Sequence, residues 1–150
     1  MHLTRETRSL LPNTVLSVTV PHVLPLDQQA ELAVQLTREG ADLIQTEGGV
    51  SAKPFSPGNL GLIEKAAPTL AASHTISNAL FAEKISTPVL CASGLSATTV
   101  PMAIASGASG VGVGSAVNRL KDQLGMVAIV RSLREALSKN VLRPSSLTVL

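Results

Sequence analysis

Four times along the chain a short apolar run gives way to a longer stretch with helical spacing, and this alternation limits the fold more than any other feature. "VLSVTV" (15–20) is β-branched and short, as strands are. "LPLDQQAELAVQLTREG" follows, with Leu26, Ala30, Leu32, Ala33 and Leu36 forming a helical stripe and Gly40 at the natural C-terminal stop. "ADLIQTE" (41–47) is a second strand, and "GGVSAKPFSPG" (48–58) is a Gly-, Pro- and Ser-rich loop longer than a plain connector needs. A helical region from about Leu60 to Glu83 is expected to break near Pro68, which would open its longer second part. "TPVLCA" is a third strand, "TTVPMAIASG" a short helix closed by Gly107, and "SGVGVGSA" a fourth strand. A final helix carries Leu120, Leu124, Val127, Val130, Leu133 and Leu137 on one side, with Arg119, Lys121, Arg134 and Lys139 facing away. Strand and helix therefore alternate through four units, the pattern of a parallel sheet with right-handed crossovers.

Length and composition narrow the class. A chain of 150 residues fits one domain that buries roughly 70% of its extended-chain surface. With two Phe and no Tyr or Trp, the core must be aliphatic, and the stacking platforms used for single-stranded nucleic acid are missing. The net charge of +2 is scattered over residues such as Arg38, Lys53, Lys84, Arg119 and Arg131, so no basic stripe points to DNA or RNA. The single cysteine, Cys91, sits within "PVLCAS" and reads as a small buried residue rather than a reactive thiol. Residues 85–118 carry no charge and are long enough to cross a bilayer, but Pro88, Pro101, repeated glycines and many hydroxyls argue for a buried, non-membrane segment. The three histidines and one cysteine lack the spacing of a metal set.

Two parallel-sheet families compete, the open doubly wound sheet and the (β/α)8 barrel. A dinucleotide fingerprint would place G-x-G-x-x-G after the first strand, where the chain reads "VPHVLPLD" with no glycine. The glycines come instead at the ends of the last two strands, "ASGLS" and "VGVGSAV", where barrels commonly build a phosphate site. Gly112 and Gly114 would let backbone amides approach an anion, Ser115 would begin a helical turn with free N–H groups, and Ser93 and Gly94 would close the other side. Tight packing of helix on sheet is the competing use of these glycines.

"IQTEGG", "GLIEKAAPTLAASHTIS", "PVLCASGLS" and "MAIASGASGVGVGSAVNRL" together resemble the plastid- and cyanobacterium-encoded family known as hypothetical chloroplast reading frame twenty-three. The likeness covers roughly residues 13–138. It implies an aldolase-type TIM barrel and a plastid or cyanobacterial setting, without implying an activity. The "GVGVGSA" ending also resembles ribulose-phosphate-binding barrels and flavin-mononucleotide-dependent barrel oxidoreductases, which implies a phosphorylated small molecule or FMN as ligand. A complete barrel has eight units, so this α/β chain is expected to be the C-terminal half of one. In that reading residues 1–12 are a helix remnant, 13–139 are strands five to eight with their helices, and 140–150 are a tail. A truncated gene model, a homodimer of half-barrels and a complementary half-barrel chain all fit, with truncation favoured.

Chemistry in such a sheet sits at the C-terminal strand ends. There Glu47, followed by two glycines, is the candidate acid–base group, with an ion pair to a nearby Lys as the competing role. Lys53 would bind an anion or form a Schiff base, against simple solvation. Thr19, His22 and Gln45 complete the ligand-facing set, although His22 could merely cap the turn into the next helix. An enzyme of the phosphate-barrel or FMN-linked kind and a non-catalytic binding or assembly module both remain open.

Overall fold

The computed structural model describes residues 1–48 and 54–141; the side chains of residues 139–141, the proposed tail from 142 onward, and Lys53 in the long loop lie outside the described set. The chain forms α1 (His2–Leu10), β1 (Ser17–Thr19), α2 (Leu26–Arg38), β2 (Leu43–Gln45), α3 (Gly58–Ala82), β3 (Val89–Ala92), α4 (Val100–Ala105), β4 (Gly110–Gly112), α5 (Ser115–Asn118) and α6 (Gln123–Val141). The strands make one four-stranded parallel sheet in the order β1-β2-β3-β4. Thr19 lies opposite Gln45, Gln45 opposite Leu90, and Leu90, Cys91 and Ala92 opposite Gly110, Val111 and Gly112.

Parallel neighbours taken in chain order and joined by right-handed crossovers put every connecting helix on the same side of the sheet. The core agrees. Val18, Val20, Ile44 and Val89 pack with Ala33, Val34 and Leu36 of α2 and Ile76 and Leu80 of α3. Cys91, Val111 and Val113 pack with Ala66, Val100, Ala103 and Leu133. Side chains alternate across a strand, so the opposite face carries Ser17 and Thr19, both exposed, and the half-exposed Leu43, Gln45, Leu90, Gly110 and Gly112. A Cβ at Gly112 would sit 3.0 Å from the Cβ of Ala92, its register partner.

α1 is fastened by arginines. The Arg8 guanidinium donates to the carbonyls of Gly40 (2.8 and 2.9 Å) and Thr14 (2.9 Å) and pairs with Asp42, while Arg5 pairs with Glu39. Asp42 also accepts the Leu16 N–H at 2.8 Å, and this bond, with Arg8 behind it, holds its carboxyl below the usual range. Gly40 ends α2 with φ +100°, where a Cβ would strike the Arg8 side chain at 2.8 Å.

Three expectations are corrected. α3 does not break at Pro68: it runs through from Gly58 to Ala82, because buried Ala66, Thr69, Ala72 and Ser73 hold both halves against the rest of the fold while Pro68 itself is exposed. In α2 the buried stripe includes Gln29 and Val34, and Leu26 is exposed. In α6 only part of the predicted stripe meets the core. Ile129, Leu133, Ala136 and Leu137 pack inward, whereas Leu124, Val127 and Val130 are exposed, Leu124 by 81%.

A buried hydroxyl cluster ties α3 to the strand ends. The Thr46 and Thr69 hydroxyls lie 2.6 Å apart, Thr69 donates to the Ala92 carbonyl at 2.5 Å, and Thr46 accepts the Ala92 N–H at 3.1 Å. Cys91 lies beside them, its thiol pushed up by burial as befits an inert packing residue. Replacing Thr69 by Val keeps the shape but strands the Ala92 carbonyl. The urea midpoint of Thr69→Val should fall by an amount worth about 1–3 kcal/mol at unchanged slope, and an unaltered midpoint would show that the cluster does not hold the strand ends.

Candidate functional site

The C-terminal strand ends carry two cavities. The first, about 220 Å³, is lined by Ser93, Gly94 and Leu95 after β3 and by Gly112, Val113, Gly114, Ser115 and Ala116 after β4. All five residues expected to hold a phosphate, Ser93, Gly94, Gly112, Gly114 and Ser115, stand around this one space. Three of the lining residues are glycines, which leave main chain open to the space. Among the described residues, the N–H groups of Gly114, Ser115 and Ala116 donate to no protein acceptor.

The backbone here is unusual. Ser93 has φ +83° and Gly94 φ +72°, so two successive residues occupy the left-handed region. Glycine is required at 94, because a Cβ there would lie 2.8 Å from the Lys65 carbonyl. A serine at +83° is strained, and strain of this kind persists where the surroundings impose it and gathers at ligand sites. Gly114 is different: its φ is −110°, and a Cβ would meet nothing within 4 Å. Nothing in the described chain calls for glycine at that position. The stem of Lys65 runs beside Gly94, with Cγ 3.4 Å from where a Cβ would be. Sequence spacing gave no sign of this lysine, which reaches the loop only because α3 folds back over the end of β3.

The second cavity, about 270 Å³, lies between α2 and α3 and is lined by His22, Gln29, Glu47, Gly48 and Pro68 among others. The Glu47 carboxylate accepts from the His22 ring Nδ1 at 2.8 Å and from the His22 backbone N–H at 3.3 Å. Those bonds hold the Glu47 carboxyl below its usual 4.5, with the His22 side chain the larger cause. The Glu47 carboxylate does have a side-chain partner among the described residues, but it is His22 and not the lysine expected. His22 is held by this pair and does more than cap a turn. A carboxylate kept ionised in this way is a poor proton donor near neutrality, which narrows the role expected of Glu47 from acid or base to base alone.

Thr19 and Gln45 are brought together as register partners on the uncovered face, but neither lines either of these cavities. Lys53 lies outside the described residues. Among the described residues no group of three His, Cys, Asp or Glu is placed to hold a metal ion, and no helix is long and apolar enough to cross a membrane.

The chain is thus an in-order parallel β/α protein with two cavities at its C-terminal strand ends. A family model described as "Protein of unknown function (DUF561)" matches residues 1–143, and the chain belongs to that family. It is 41% identical over 138 residues to "Uncharacterized protein ycf23" of Porphyra purpurea, covering 92% of this chain and 50% of that protein. It is 41% identical over 133 residues to the protein of the same name from Cyanophora paradoxa, covering 89% and 52%. The resemblance to chloroplast reading frame twenty-three is thus confirmed, and the chain spans about half the length of these relatives. A solved structure described as "Native KDPGal structure" aligns at 16% identity with a TM-score of 0.39, over 92% of this chain and 76% of the other.

Because the folded Glu47 carboxyl lies below its unfolded value, its bonds to His22 add stability above that unfolded value and lose it as pH falls through the folded one. Urea midpoints of wild type and Glu47→Gln should differ at neutral pH and converge in acid below about pH 4. A gap that stays constant with pH would mean that Glu47 is not held ionised by His22.

Proposed function

We propose that the cavity between the ends of β3 and β4 binds the phosphate of a phosphorylated small molecule. The observation that carries this reading is Gly114, a glycine that its own chain does not need. Beside it the strained Ser93–Gly94 turn and three unpartnered N–H groups line the same space. Gly112 has a packing reason in Ala92; Gly114 has none, and close approach of a ligand to the main chain supplies one. Oriented backbone N–H groups in a concave turn favour an anion without any formal charge. A volume of about 220 Å³ suits a phosphate and its first linking atoms, so FMN would seat its phosphate here and its ring system outside. A ribulose-phosphate-barrel type of enzyme, an FMN-linked oxidoreductase and a non-catalytic phosphate sensor all use such a site. A yellow flavin spectrum in the purified protein favours the second.

A second reading concerns the fold around the site: the chain is half of an aldolase-type (β/α)8 barrel. The uncovered sheet face, the free edges of β1 and β4 and the double length of the relatives support it. Barrel interiors are filled by bulky branched side chains, yet β1 and β4 offer only Ser17, Thr19, Gly110 and Gly112 to that face. Two copies of this chain would leave the axis underfilled, so a complementary half with large inward aliphatic residues fits better than a homodimer. Light scattering tests this. The chain should form a one-to-one complex with the unmatched half of the Porphyra purpurea relative, whereas a stable homodimer or an indifferent monomer would overturn the reading.

Phosphate binding predicts ligand-dependent thermal stabilisation. At about a hundredfold excess over Kd a ligand adds about 2.7 kcal/mol, roughly 5–10 °C for a domain of this size. Gly114→Val should fold normally, because its Cβ meets open space, and should lose the shift. Ser115→Glu should lose it by charge repulsion. No shift in the wild type with inorganic phosphate, sugar phosphates or FMN would end this proposal.

A further inference from the structure

The cavity between α2 and α3 carries its own chemical signature. Gln29, in the first turn of α2, is only 4% exposed. Its Nε2 donates to the Leu24 carbonyl at 2.7 Å, which fixes the orientation of the amide, since a flipped group would set oxygen against oxygen. Oε1 is then buried with no partner among the described residues. An unpaired buried acceptor is costly, and Leu or Met would fill the same volume without that cost. Glu47 lines the same cavity, with Oε2 taken by His22 and Oε1 receiving no donor among the described residues. Among the described residues no Lys or Arg lines the space, and Leu24, Pro25, Leu26, Pro68 and Ala71 form its apolar walls. One neutral and one charged acceptor in an apolar cleft are complementary to a compact cation with several N–H donors.

We propose that this cavity is a binding subsite for a primary ammonium group, held by Gln29 Oε1 and the Glu47 carboxylate. The subsite adjoins the anion cavity through one contact. Gly48 lines the ammonium side, Ser93 lines the anion side, and a Cβ on Gly48 would stand 3.0 Å from Ser93 Oγ. Resting on the phosphate reading for this last step, the ligand class is a phosphorylated small molecule that also bears a primary amine.

Nuclear magnetic resonance separates the two claims. Ethanolamine titrated into ¹⁵N-labelled protein should move the Gln29 side-chain amide and His22 ring signals and leave the Gly114 and Ser115 amides still. Inorganic phosphate should do the reverse. Across aminoethyl, aminopropyl and aminobutyl phosphate, at least one should move both sets and bind about ten-fold tighter than phosphate alone, equivalent to about 1.4 kcal/mol. Gln29→Leu should abolish the ethanolamine response, and so should Glu47→Gln, a half-exposed change that leaves the fold intact. Silence of Gln29 and His22 toward ethanolamine, or an equal response to ethylene glycol, overturns the ammonium subsite. Silence of Gly114 and Ser115 toward phosphate overturns only the phosphate reading. An ammonium response without tighter binding of any aminoalkyl phosphate overturns the joint ligand class.

Discussion

Everything in this molecule depends on the handedness of its crossovers. Four parallel strands taken in chain order can be connected by right-handed turns only if each helix returns on the same side. That places α2, α3, α4 and α6 over one face, gives the core its two clusters, and leaves the other face bare. It also brings all four C-terminal strand ends to one rim. The loops after β3 and β4 meet because their strands are register neighbours, and the loops after β1 and β2 meet for the same reason.

Within that frame, small local devices shape the rim. The Thr46 hydroxyl takes the Ala92 N–H, and Thr69 takes the carbonyl of the same residue, so side chains from β2 and α3 replace ladder partners as the strands diverge. Ala92 is thereby fixed immediately before the left-handed turn at Ser93 and Gly94. The Lys65 carbonyl presses on Gly94 from α3, and Gly48 admits Ser93 from the other side. The cavity between the ends of β3 and β4 is thus shaped by residues after β2 and from α3 as well, although only the β3 and β4 ends line it.

The relatives matched in this family are about twice as long as this chain. Among the described residues the sheet presents one face without helices and two edge strands, β1 and β4, and such edges are where a parallel sheet can be extended. Leu124, Val127 and Val130 form an exposed apolar stripe on α6, of the kind that marks an interaction surface. The residues that line the cavity between the ends of β3 and β4 all come from this chain's own loops.

Much of this could be read from the residues alone. β-branched runs, helical periodicity and glycines at positions 40 and 107 mark elements through local backbone preference, which needs no distant partner, and both glycines adopt left-handed φ as expected. That Ser93, Gly94, Gly112, Gly114 and Ser115 gather around one cavity was legible for the same reason, since stripped side chains at strand ends are a local signal. Pairings across the sheet were not. His22 meets Glu47 over 25 positions, Thr46 meets Thr69 over 23, and Arg8 reaches Gly40 over 32. Periodicity likewise shows that α6 has apolar flanks but not which flank has a neighbour, and it cannot tell that Pro68 will be tolerated because packing secures α3 on both sides. Local propensity is encoded residue by residue and so fixes element order, turn positions and loop chemistry. Which side chains lose their water, and which polar atoms are left without a partner as at Gln29, is decided only when segments far apart in the chain close on one another.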